Sequence, residues 1–145
     1  MKDKLILVVE DNPDHLELTV LTLEEHGLSA EIAVARDGAQ ALDFLFGQGS
    51  HTGREIKRQP AFILLDMKLP KLSGLDVLRS VRANPATARV PVVMLTSSSE
   101  QSDILACYQS GANSFIRKPV DFGEFTEKLN CVKAYWLGVN EAPAA

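Results

Sequence analysis

The sequence predicts an α/β protein built on a five-stranded parallel sheet. Three observations predict it. Strand-like apolar runs alternate with helix-like segments five times, the pattern of parallel strands joined by crossover helices. Residues 5–9 and 61–65 are apolar throughout, as strands buried on both faces must be. The first run ends on Glu10 and Asp11 and the second on Asp66, and ligands of open α/β sheets bind outside the C-terminal strand ends.

Residues 5–9 form the first strand. Asn12 reads as a helix N-cap and Pro13 as the first helical residue, where a missing N–H costs nothing. Asp14 and Glu17 suit the positive end of that helix. Leu16, Val20 and Leu23 share one face, and Gly27 is a natural stop. Residues 31–35 form the second strand, Asp37-Gly38 a turn and residues 39–46 a second helix. Residues 47–60 are polar, far longer than the roughly 2–6 residues usual at such a connection. They form either a mobile surface loop, the reading preferred for a loop this long, or a partner contact.

Residues 62–65 form the third strand and 74–83 the third helix, stopped by Asn84-Pro85. Residues 92–95 form the fourth strand. Ser98 and Gln101 are spaced as a capping box before a helix that runs to about Ser110 and Gly111. Residues 114–117 form a short fifth strand. Asp121 caps the last helix, whose stripe of Phe122, Phe125, Leu129 and Val132 is expected in the core. The reading is one domain over residues 1–145, with a core of about 4–138, a surface loop at 47–60 and a tail at 139–145.

The 145 residues suffice for one sizeable core. A net charge of −4 argues against a nucleic-acid surface. Cys107 and Cys131 lack CxxC spacing, so neither a zinc site nor a thioredoxin-type motif follows, and both read as reduced thiols. No apolar stretch approaches the roughly 20 residues that span a bilayer. Met1-Lys2-Asp3-Lys4 leads straight into a strand, which argues against a signal peptide. A cytoplasmic protein with no membrane and no nucleic-acid partner is expected.

Polar residues follow four of the strands: Glu10 and Asp11, Asp66, Thr96, and Lys118. Three acids at one rim repel, and burial worsens this. A hard divalent cation is the simplest way to hold them together. The set suits phosphoryl transfer: a carboxylate nucleophile forms an acyl phosphate, and lysine is a point charge for a phosphate oxygen. A hydroxyl donates to that phosphate only once it is present, the kind of differential contact a switch requires.

Four segments carry a family resemblance: Leu7-Val8-Val9-Glu10-Asp11-Asn12, Ile63-Leu64-Leu65-Asp66-Met67-Lys68-Leu69-Pro70 with Ser73-Gly74, Val92-Val93-Met94-Leu95-Thr96, and Gly111-Ala112-Asn113-Ser114-Phe115-Ile116-Arg117-Lys118-Pro119. Together they resemble the receiver domain of two-component response regulators across essentially the whole chain. The implied fold is a flavodoxin-like, doubly wound sheet of order 2-1-3-4-5 with five helices. The implied roles make Asp66 the acceptor of phosphate from a sensor histidine kinase. Asp11, Asp66 and the Met67 backbone carbonyl would bind Mg²⁺ or Mn²⁺, with Glu10 acting mostly through water. Thr96 and Lys118 would contact the phosphoryl oxygens, and Thr96 and Phe115 would switch together. Lys68 and Ser98 stand where receivers tune dephosphorylation. The Lys118–Pro119 bond is expected to be cis. Two departures stand out: Glu10 is where aspartate is usual, and Phe115 where tyrosine is frequent.

The start of the chain, the long 47–60 segment and the end Trp136-Leu137-Gly138 resemble single-domain regulators that partner phytochrome histidine kinases and often dimerise. The resemblance implies a phosphoacceptor, not a classical enzyme, that signals by protein contact or phosphorelay. Ile104, Leu105 and Tyr108 with Tyr135 and Trp136 form a candidate interface for a homodimer or downstream protein. Two other classes share features. A phosphohydrolase of the haloacid dehalogenase type needs an acid two residues past its nucleophile, and Lys68 stands there. A flavodoxin-like FMN binder needs a phosphate-binding first loop, and residues 10–14 are acidic. His15, His26 and His51 have no ligand-type partner at metal spacing and read as surface residues.

Overall fold

The computed structural model describes residues 4–25 and 29–143. Five strands and five helices alternate: β1 (Lys4–Val9), α1 (Pro13–Glu24), β2 (Ala30–Ala35), α2 (Gly38–Phe46), β3 (Phe62–Asp66), α3 (Gly74–Ala83), β4 (Val92–Thr96), α4 (Gln101–Gln109), β5 (Ser114–Arg117) and α5 (Phe122–Ala134). A wide helical turn, Tyr135–Val139, extends α5. All strand pairs are parallel and the sheet order is β2-β1-β3-β4-β5.

Each buried strand alternates between two cores. Leu5, Leu7 and Val9 of β1, Ile63 and Leu65 of β3, and Val92 and Met94 of β4 pack against α2, α3 and Cys107 of α4. Ile6, Val8, Phe62, Leu64, Val93 and Leu95 pack against Leu16 and Leu23 of α1 and Phe125 and Leu129 of α5. Neither face is solvated, which explains why the runs are apolar throughout. Each fully buried Leu, Ile or Phe contributes about 1.5–3 kcal/mol. The chain steps from β1 outward to β2, then reverses to β3. Right-handed crossovers therefore put α1 on one face and α2, α3 and α4 on the other. The reversal opens a crevice between the C-terminal ends of β1 and β3.

The predicted caps of α1 and α5 form. Asn12 Oδ1 accepts from the Asp14 and His15 amides at 2.9 and 3.1 Å, and Asp121 Oδ1 accepts from Gly123 at 2.7 Å. The Gly27 stop and His26 lie outside the described residues. The capping box at Ser98 does not form. Glu100 precedes α4 without a side-chain cap, and the Ser98 hydroxyl instead donates to Asp103 Oδ2 at 2.7 Å.

The 47–60 segment is tied to the end of α2. The Arg54 guanidinium lies 4.1 Å above the Phe44 ring centroid and donates to Arg58 O at 2.8 Å. Gln59 donates to Leu45 O at 3.0 Å, and the half-buried His51 ring packs edge-on against Phe44. The long side chains satisfy carbonyls at the end of α2 that the helix itself leaves open. Phe122 is 60% exposed, against expectation. It opens α5, one turn before the helix reaches the sheet through Phe125 and Leu129. The Lys118–Pro119 bond is trans, since the described residues contain no cis peptide; trans is the form X–Pro bonds favour by about 0.5–1 kcal/mol.

Candidate functional site: an acidic crevice at the ends of β1 and β3

The backbone places the site residues before their side chains act. Asp66 is the last residue of β3 and Thr96 the last of β4. Glu10 and Asp11 follow β1 directly, and Lys118 follows β5. The Lys118 amide donates to Thr96 O at 2.7 Å, which holds the end of β5 against β4. Parallel register brings these residues to one rim, because every strand delivers its C-terminus to the same edge.

At that rim the Lys118 ammonium bridges two carboxylates. It donates to Asp66 Oδ2 at 2.8 Å and to Glu10 Oε1. Asp66 Oδ1 accepts from the Lys68 amide at 3.0 Å, and Glu10 Oε2 from the Asn12 amide at 3.3 Å. Burial, and next the shared site with Asp66, push the Glu10 carboxyl up to about 7 against the pull of Lys118. Burial pulls the Lys118 ammonium down, but hydrogen bonds to Asp66 and Glu10 more than reverse this and hold it above its usual value. Asp11 is exposed at the mouth.

One carboxylate oxygen each of Glu10, Asp11 and Asp66 lie within 4.8 Å of one another. Three hard oxygen donors at that spacing, one of them held up by burial, fit a divalent cation. The Met67 carbonyl accepts from the Gly74 amide at 2.9 Å, and its second lone pair stays available. Thr96 is buried beside the acids, and its Oγ1 accepts from the Ser98 amide at 3.1 Å. Phe115 on β5 is half-buried against the α2–α3–α4 core. Lys68 points its side chain to solvent.

The candidate interface residues are divided between the two layers of the fold. Leu105 and Tyr108 are 56% and 48% exposed on α4, whose Cys107 joins one core. Trp136 packs against the other core, and Tyr135, edge-on to Trp136, is exposed beside it. The residues lie on opposite layers because α4 and α5 cross on opposite faces of the sheet. Cys107 is buried and Cys131 exposed, both as free thiols. One site residue went unnoticed in the sequence. His15, half-buried, brings Nδ1 to 3.4 Å from Lys118 Nζ. Its signal was positional: Asn12 and Pro13 start α1 at the rim, so the first helical turn faces the crevice.

The chain matches the response regulator receiver domain over residues 6–130 and belongs to that family. It is 34% identical over 142 residues to the response regulator Rcp1 of Synechocystis sp., which covers 98% of this chain and 95% of that protein. It is 36% identical over 140 residues to the probable methanogenesis regulatory protein FilR2 of Methanothrix harundinacea, with 96% and 87% covered. Among solved structures, the phosphorylated cyanobacterial phytochrome response regulator RcpA matches with a TM-score of 0.90 at 30% identity, over 97% of this chain and 99% of that one. The Mn²⁺-bound form of Rcp1 matches with a TM-score of 0.89 at 33% identity, over 97% and 99%. The bacteriophytochrome response regulator RtBRR is 46% identical with a TM-score of 0.78, over 99% and 82%.

The fold is therefore the flavodoxin-like receiver fold, and the protein is a component of two-component signalling. Receiver domains are signalling phosphoacceptors that bind a divalent metal, not classical enzymes. The hydrolase and flavin-binder readings fall with that assignment. No helix among the described residues is long and apolar enough to cross a membrane.

Proposed function

We propose that this chain is a cytoplasmic, single-domain response regulator that accepts a phosphoryl group on Asp66. The observation that carries the reading is the Lys118–Asp66 contact of 2.8 Å inside the Glu10, Asp11 and Asp66 cluster. An Asp66 carboxylate oxygen attacks the phosphorus of a phosphohistidine on a sensor kinase. The P–N bond breaks, an acyl phosphate forms, and the imidazole nitrogen keeps the electron pair and takes a proton. The Lys118 ammonium and the Thr96 hydroxyl contact the transferred oxygens, supplying positive charge and a donor where negative charge gathers. Asp11, Asp66 and the Met67 carbonyl would hold Mg²⁺ or Mn²⁺, with Glu10 acting mostly through water, and the cation would supply positive charge to offset the carboxylates and the phosphate.

Thr96 must leave the Ser98 amide to reach a phosphoryl oxygen, and Phe115 on the neighbouring strand shifts with it. Lys68 and Ser98 flank the acceptor and set the lifetime of the acyl phosphate. The signal leaves by protein contact or by phosphorelay, and Leu105, Tyr108 and Tyr135 are the exposed apolar residues available for a partner or a second copy. A phytochrome-type kinase is the donor this reading favours, because RcpA and RtBRR are described as phytochrome response regulators.

Intact-mass spectrometry after incubation with Mg²⁺ and acetyl phosphate tests the acceptor. The expected result is a gain of one phosphoryl group that needs Mg²⁺ and disappears in Asp66→Asn. An adduct that persists in Asp66→Asn would overturn it.

A further inference from the structure

We propose that His15 is a positioning residue for Lys118, and so for phosphoryl transfer to Asp66; the inference rests on Asp66 being the acceptor. A lysine ammonium has three N–H donors and no acceptor. Around Lys118 Nζ stand three acceptors: Glu10 Oε1, Asp66 Oδ2 at 2.8 Å, and His15 Nδ1 at 3.4 Å. Since the ammonium only donates, Nδ1 supplies the lone pair and the ring proton sits on Nε2. The match of three donors to three acceptors points the ammonium at the acceptor carboxylate.

The backbone of His15 is fixed for this task. It lies in the first turn of α1, and its amide donates to the Asn12 cap at 3.1 Å. The capped start of α1 thus carries the imidazole to the Lys118 ammonium on a short side chain.

His15 differs from the other two acceptors in what the reaction does to them. Asp66 becomes an acyl phosphate, and Glu10 and Asp66 both belong to the carboxylate cluster that suits a cation. When a phosphoryl oxygen must be met, both anionic partners of Lys118 are committed elsewhere. The imidazole is the partner left to hold the ammonium in line. A side chain without an acceptor at the δ position lets the lysine swing toward solvent. A cation there drives it away.

The test is the rate of adduct formation from acetyl phosphate with saturating Mg²⁺, in the wild-type chain and in His15→Asn, His15→Leu and His15→Lys, with melting temperature as the folding control. Asparagine keeps an acceptor at the δ position, leucine keeps shape alone, and lysine adds like charge. The expected order is wild type close to His15→Asn, His15→Leu slower by about tenfold, the loss of one charge-assisted hydrogen bond, and His15→Lys slower still. Rescue by asparagine is an outcome that a merely structural role for the ring does not produce. Equal rates in the wild type and all three variants would overturn the positioning role and leave the acceptor intact. No adduct in the wild type would instead overturn the acceptor, and the positioning role with it.

Discussion

Gly74 packs directly on the end of β3: a Cβ there would stand 2.3 Å from the Asp66 carbonyl oxygen and 2.7 Å from Met67 Cα. The obstructing atoms are backbone, so no side chain can rotate aside. The start of α3 can approach the end of β3 only because residue 74 has no side chain, and the Gly74 amide then donates to Met67 O at 2.9 Å.

Gly74→Ala is therefore expected to destabilise the fold by about 1–3 kcal/mol, the usual cost of overpacking. It should also slow adduct formation, because the backbone that gives way carries Asp66 and the Met67 carbonyl. Urea unfolding and the acetyl phosphate assay check both. A variant as stable and as fast as the wild type would contradict the close packing.

Lys118→Met leaves two carboxylates facing each other with side chains only 2% and 9% exposed. Removing one partner of a buried pair costs about 3 kcal/mol, so the melting temperature should fall clearly in divalent-free buffer. Mg²⁺ at millimolar concentration should recover part of the loss, since a ligand that binds only the native state stabilises it. Equal loss with and without Mg²⁺ would argue against a cation among these acids.

Asp37 should make stability sensitive to acid. Its Oδ1 accepts from the Gln40 amide at 2.8 Å, and Lys71 Nζ lies 3.3 Å from Oδ2. The Gln40 bond first, and Lys71 with it, hold the carboxyl below its ordinary value of 3.8 despite burial. A depressed native value means a contribution fully present above the unfolded value and lost as pH falls through the native one. Asp37→Ala is expected to cost about 1 kcal/mol at neutral pH, as loss of a helix cap does. The gap between variant and wild type should close below about pH 4. Urea titrations from neutral pH downward would show it; a gap constant into acid would oppose the assignment.

Arg82 ties three segments together. Its guanidinium donates to Gly111 O at 2.9 Å, Ala88 O at 3.1 Å, Val90 O at 2.7 Å and Asn113 Oδ1 at 2.6 Å. Asn113 Oδ1 also accepts from the Val92 amide at 2.8 Å. Arg82→Met is expected to cost about 2–4 kcal/mol by stranding these acceptors. Arg82→Lys should recover little, because an ammonium cannot span a planar fork of acceptors. Chemical denaturation of both variants decides this, and full recovery by lysine would count against it.

The elements that were legible are those whose signal is local. Residues 74–83 and 114–117 form α3 and β5 with the bounds the sequence predicts, because Ser73-Gly74, Asn84-Pro85 and the short apolar run each punctuate their own neighbourhood. The acids and Lys118 were legible because a parallel sheet sends every strand end to one edge. Ser98 was misread because a hydroxyl both donates and accepts: it donates to Asp103 Oδ2 at 2.7 Å and accepts from the Glu100 amide at 3.2 Å, one residue before the helix begins. Arg54 and Gln59 show no pattern in sequence, yet they pin a loop that composition alone marks as mobile. Phe122 keeps its place in the apolar stripe, but the stripe begins before the sheet does.

By itself the sequence determined where the strands and helices lie, which strand ends carry charge, and which residue types suit phosphoryl chemistry. These follow from hydrophobic period, caps and strand ends, all short-range along the chain. Tertiary structure alone decided that His15, 103 residues from Lys118, shares its ammonium. It also decided that Trp136 and α4 occupy opposite layers. The physical reason is that crossover handedness and sheet order set which distant residues meet, and no local preference encodes a distance between elements that far apart.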